Sequence, residues 1–177
     1  TTALIMSIDV VSLRVETVTP LVKAVTEATG VPADNIVFSA THTHSGPDQN
    51  LAGSFVGTLQ AGCVEAAQTA IADLSPAELS AGSTKTEGMN FVRHYWAIDG
   101  SSAGNNYGNQ NIEYKEHTYD VNHEMILVNF EREGKEDVLL VNWAAHPANP
   151  YDEAIGNLNI SADHPGWCRD ELEKLTG

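Results

Sequence analysis

The sequence predicts an α/β (or α+β) fold, a mixed β-sheet with flanking helices in the order β-α-β-α-β-β-β-α. Three observations carry that expectation. Apolar runs of strand length, rich in β-branched residues, recur at residues 3–12, 36–43, 124–131 and 137–144. Helical spacing of apolar residues separates the first two runs and follows the second. The last two runs are joined by "EGKE", which reads as the turn of a hairpin.

Each element follows from its residues. "ALIMSIDVVS" (3–12) is a mostly apolar run with β-branched residues, consistent with a buried strand. A helix is expected next, starting at Thr19-Pro20. Leu21, Val22, Val25 and Ala28 share one face and Gly30 ends it. "VPADN" is a turn, and "IVFSATHT" (36–43) is the second strand. From Leu51 to about Asp73, the spacing of Leu51, Phe55, Leu59 and Ile71 fits a long amphipathic helix, stopped before Pro76. "AELSAGSTKT" alternates as a modest strand, and a last helix is expected over about Asp163–Leu175. Residues 98–120, rich in Gly and Asn, read as a structureless loop that either lines a site or is disordered.

The whole chain of 177 residues is expected to be one domain, large enough to bury a core without metal or disulfide staples. Its 42% apolar and 19% charged residues are a globular balance. Nine Lys+Arg stand against 24 Asp+Glu, a formal charge of −15. That charge excludes a nucleic-acid backbone as partner and argues against docking on anionic lipid, since both need clustered cations. Cys63 and Cys168 lie far apart and belong to no CxxC pair, so two thiols and one long-range disulfide are both open. The chain opens directly on a strand with no basic n-region or cleavage site, and it stops just after a helix. It is expected to be a piece of a longer protein.

Chemistry concentrates in "FSATHTHSGPDQ" (38–49). Side chains in a strand alternate, so His42 and His44 point to one face and Thr41 and Thr43 to the other. The threonines would then pack against the layer behind. Two imidazoles on one face suit a metal, or one suits a metal and its neighbour a substrate. "LLVNWAAHPANP" ends a second strand in His146, so two strand termini deliver histidine. The alternative is a pair of polar strand rims. His94, His117, His123 and His164 have no partner at ligand spacing and are expected to be solvated or satisfied locally. Arg93, among Phe91, Tyr95 and Trp96, either stacks on a ring or holds an anion in a cleft. Asp163 is expected to cap the last helix, with Pro165 in its first turn.

"GVPADNIVFSATHTHSGPD", "NFVRHYW", "VLLVNWAAHPAN" and "SADHPGWCRDELEK" occur in the order and spacing of the neutral/alkaline ceramidase family, which the chain resembles over nearly its whole length. The resemblance implies a zinc-dependent amidohydrolase that cuts the N-acyl bond of ceramide-like lipids. It makes His42 and His146 zinc ligands, turns His44 towards the substrate, and sets Arg93 at the substrate's polar head. It implies further ligands, a glutamate and a tyrosine, and an active-site serine from beyond this segment, in the remainder of the catalytic domain. It also implies an extracellular, periplasmic or cell-surface location and a lipid or amide substrate met at a membrane surface. Asp48, Gln49 and Asn50 stand where the family has small residues, and "ADHPGW" carries its own His-Pro. Both departures point to a smaller or more polar amide.

Zinc lowers the pKa of a bound water to about 7, which provides a nucleophile at neutral pH. Two other functions stay open at this level. One is a zinc hydrolase acting on a small amide or ester. The other is a non-catalytic binding module on a hydrolase-like fold, with residues 98–120 and the acidic surface serving recognition.

Overall fold

The computed structural model describes residues 1–47, 53–104, 113–147 and 160–176. Helices and strands combine in an α+β fold. The chain divides into two compact units, one of residues 1–75 and 147–177 and the other of residues 76–146.

The first unit is built on a parallel pair. Strand β1 (Leu4–Ile8) lies beside β2 (Ile36–Ala40) in a register running from Leu4↔Ile36 to Ile8↔Ala40. Parallel neighbours need a crossover, and helix α1 (Val15–Thr29) supplies it. Leu21 and Val25, one turn apart, are fully buried on its inner face. Burying each such side chain contributes about 1.5–3 kcal/mol. Helix α1 begins four residues earlier than its sequence implies, with Pro20 inside it. The proline ring removes one intrahelical hydrogen bond, yet the buried face compensates. Gly30 ends the helix at φ 74°, its N–H donating to the Thr26 carbonyl, a left-handed cap that favours glycine.

Helix α2 (Gly53–Ala72) packs Cys63 and Ala67 into the same core. The expected first residue of this helix, Leu51, lies outside the described residues. With Leu4, Val31 and Ile36, these side chains form the one cluster of buried apolar residues among those described. A final helix (Asp163–Thr176), α3, closes the unit at the expected place.

The second unit is antiparallel. Strands β3 (Ala77–Lys85), β7 (Glu124–Arg132) and β8 (Val138–Trp143) form one sheet in the order β3-β7-β8. All three follow the sequence expectation to within a residue or two. The surprise lies between them. Strands β4 (His94–Ala97), β5 (Ser102–Gly104) and β6 (Tyr114–His117) form a second sheet in the order β5-β4-β6. The expected structureless loop of 98–120 therefore holds two strands, while its middle, 105–112, lies outside the described residues. Parallel and antiparallel pairs are both present, as a mixed sheet requires, but they occupy separate sheets.

Candidate metal centre

Strand β2 stops at Ala40, so His42 and His44 do not share a face through strand pleating as expected. A turn brings them together instead. His42 adopts φ 67°, the left-handed region, at a cost of about 1–2 kcal/mol for a residue with a Cβ. Its backbone N–H donates to the Val10 carbonyl at 3.1 Å, and Thr41 N–H donates to Ile8 at 3.0 Å. The two imidazoles then meet edge to face, ring centroids 5.0 Å apart and planes at 85°.

The ring of His42 is tied as well. Its Nδ1 lies 2.5 Å from the Val11 carbonyl oxygen. A carbonyl only accepts, so Nδ1 carries the proton and Nε2 keeps its lone pair. Metal-binding histidines are commonly oriented by this kind of outer hydrogen bond.

The threonines that alternate with the histidines hold the turn from behind. Thr41 donates its hydroxyl to Asp9 Oδ1 at 3.0 Å. Asp9 in turn receives both guanidinium nitrogens of Arg169 on α3, at 3.2 and 2.7 Å. Thr43 is wholly buried, with its hydroxyl 2.7 Å from Asp163 Oδ2 and 2.8 Å from the Ser161 carbonyl. The expected packing of the threonines behind the histidines is thus made of specific hydrogen bonds to carboxylates. Asp163 does not place its carboxylate as a helix cap. It turns that group to Thr43, and its own N–H is accepted by Ser161 Oγ at 2.9 Å.

Gly46 completes the turn. A Cβ there would lie 2.6 Å from the Asp9 carbonyl oxygen, too close for any other residue without a backbone shift. Asp48, Gln49 and Asn50, the expected polar rim, lie outside the described residues.

His146 follows β8 by three residues. The Ala144 carbonyl just before it accepts from Asn90 Nδ2 at 2.8 Å, and Ala145 N–H turns back to Trp143 at 3.0 Å. Asn90 also donates to Asn122 at 2.8 Å and is 92% removed from solvent, a buried amide that fixes where β8 ends. Sequence patterning gave no sign of Asn90, since a lone Asn before a strand looks like any loop residue.

The potential ligand atoms of His42, His44 and His146 all lie within 4.8 Å of one another, a group that can hold a metal ion. It is the only such group of His, Cys, Asp or Glu among the described residues. Tetrahedral zinc at its usual Zn–N distance sets ligand nitrogens about 3.3 Å apart, so modest side-chain movement suffices. None of the three rings is buried, which leaves a face for water or substrate. His44, read from the sequence as facing substrate, thus stands close enough to be a ligand too.

The other histidines behave as expected where their bonds are defined. His123 Nδ1 donates to Asn90 Oδ1 at 2.9 Å, and His117 Nδ1 donates to the Val92 carbonyl with its ring 4.4 Å from that of Tyr95. Arg93 is half-buried in the second unit, just ahead of β4. Cys63 and Cys168 are free thiols, and burial pushes that of Cys63 up. No protein-family model and no curated protein matches this sequence.

Proposed function

We propose that this chain carries the core of a zinc-dependent amidohydrolase centre, acting on the N-acyl bond of a ceramide-like lipid amide. The grouping of three imidazoles within 4.8 Å is the observation that carries the reading. Neutral imidazole suits zinc, and among the described residues no thiolate or carboxylate shares the group. The ceramidase-like motifs quoted above supply the bond type and the lipid.

His42 and His146 hold the ion on this reading. Zinc bound there supplies a Lewis acid and an activated water at neutral pH. The Val11 carbonyl keeps the proton on His42 Nδ1 and so presents Nε2 for binding. His44, edge-on to His42, donates to the amide oxygen as negative charge develops on it. Such a donor is typically worth about 3 kcal/mol in the transition state. Arg93 serves the polar head of the substrate. The substrate is met at a membrane surface, in an extracellular, periplasmic or cell-surface setting. No described helix is long and apolar enough to cross a membrane.

The test is zinc content after chelator-free purification, followed by hydrolysis of an N-acylsphingosine beside a short-chain amide and a matched ester. His42→Ala and His146→Ala are each expected to abolish zinc retention and hydrolysis, while His117→Ala leaves both intact. His44→Ala is expected to keep the zinc and to lose about 10²–10³-fold in kcat. Equal, mild effects of His42→Ala, His146→Ala and His117→Ala would overturn the ligand assignment. Preference for the ester or the short amide would retain the metal and change the substrate.

A further inference from the structure

Only two non-glycine residues among those described have positive φ, His42 at 67° and Asp163 at 51°. They are 121 positions apart in sequence, yet one buried side chain links them. Thr43, next to His42, is 0% exposed and sets its hydroxyl 2.7 Å from Asp163 Oδ2. Backbone strain persists where surroundings over-determine it, and it clusters at functional sites.

Two more contacts tie the same two segments, and a third braces the turn itself. The Thr43 hydroxyl also faces the Ser161 carbonyl at 2.8 Å, so its single proton has two acceptors. Its oxygen accepts the Ser45 N–H at 3.1 Å, and Ser161 N–H donates to the Ser45 carbonyl at 3.0 Å. Asp163 is 94% buried, and its Oδ1 has no hydrogen-bond partner among the described residues. A buried carboxylate with one oxygen left unpaired is costly for stability alone. Its place in the fold needs another reason.

We infer that Thr43 is the positioning residue of the histidine pair, and that residues 161–163 clamp it so that His42 stays left-handed with its Nδ1–H on the Val11 carbonyl. Thr43 touches neither metal nor substrate; it acts through the backbone of its two neighbours. For metal affinity this rests on the zinc reading above, but the ring's tautomer does not. Asp163 plays the lesser part, because the Ser161 carbonyl remains as acceptor when the carboxylate is removed.

The imidazole tautomer of His42 is therefore the first readout, taken by long-range proton–nitrogen NMR on the metal-free full chain. Wild type is expected to show the Nδ1–H form. Thr43→Val should lose it, Asp163→Ala should lose it in part, and Thr43→Ser should restore it. Cobalt(II) serves as the second probe, with a visible spectrum that reports ligand geometry. Its affinity should fall about 10-fold or more in Thr43→Val, and recover with the spectrum in Thr43→Ser. Retention of the Nδ1–H form in a folded Thr43→Val or Asp163→Ala protein would overturn the inference. Should Thr43→Val fail to fold, full wild-type behaviour of Asp163→Ala decides against it. Wild type that takes up no cobalt while its tautomer responds as stated would sink the zinc reading and leave the positioning role standing.

Discussion

The two units are held together by different physics. Of the nine buried apolar residues described, eight (Leu4 through Ala67) belong to the first unit, and Ala97 alone to the second. In the second unit, the buried side chain that ties distant segments is polar. Asn90 receives His123 and donates to two carbonyls, beside Trp143 Nε1, which donates to Thr86 Oγ1 at 2.8 Å. The first unit draws its stability from apolar area, which forgives small shifts. The second depends on ladders and one amide, which hold direction but contribute little net energy per bond. His42 and His44 belong to the unit that holds the apolar core; His146 follows a strand whose end is bound by a hydrogen-bonding hub.

The comparison breaks most directly at Leu21. Leu21→Ala should cost about 2–5 kcal/mol in a denaturant titration, whereas Leu79→Ala, at 64% exposure on β3, should fall within about 0.5 kcal/mol. Equal costs would mean that the first unit is not the one carrying the apolar core energy. Asn90→Ala comes next, at about 1–3 kcal/mol, because the Asn122 and Ala144 carbonyls lose their donor. Amide exchange should quicken around residues 122–124 and 143–145 and stay slow in α1. Quickening in α1 too would erase the distinction between the units.

Smaller still is the ion pair of Arg169 with Asp9, whose side chains are 49% and 38% exposed. Arg169→Met should change stability by about 1 kcal/mol at most, with the effect fading in salt. The smallest effect is a pH dependence in the second unit. Hydrogen bonds from the Asn129 side chain and the Arg132 N–H hold the Asp137 carboxyl below its usual range. A carboxyl depressed in the folded state adds stability above its unfolded value, lost as pH falls through the folded one. Asp137→Asn should lower stability slightly at neutral pH, where the carboxylate is ionised, and leave it unchanged in acid, so that the acid limb of the stability curve flattens. An unchanged acid limb would remove that contribution.

Long elements with local signals were legible from the sequence. Strands β7 and β8 and helix α2 declare themselves by apolar runs or helical spacing, and β3, exposed along its whole length, by alternation alone. Strands β4, β5 and β6 do not. They run three or four residues through Gly- and Asn-containing sequence, and their pairing supplies what propensity does not. At the candidate site, the identities His42, His44 and His146 were readable, but the geometry was not. Alternation assigned the first two to one strand face, whereas a left-handed backbone at a non-glycine residue leaves no pattern to read. The Thr43–Asp163 bond spans 120 positions and escaped for the same reason.

That span also sets an order of events during synthesis. The turn bearing His42 and His44 leaves the ribosome about 118 residues ahead of Ser161, with the whole second unit made in between. At about 5–20 residues per second, the interval is roughly 6–24 s. Throughout it the parallel pair and α1 can assemble, since all their residues are already present. The turn carrying the two imidazoles can by then bond to residues 8–11, and it still lacks the contacts of Thr43 with Ser161 and Asp163. On the zinc reading, metal capture with native affinity would then be a late step of biogenesis, timed by residues 161–163 rather than by the histidines.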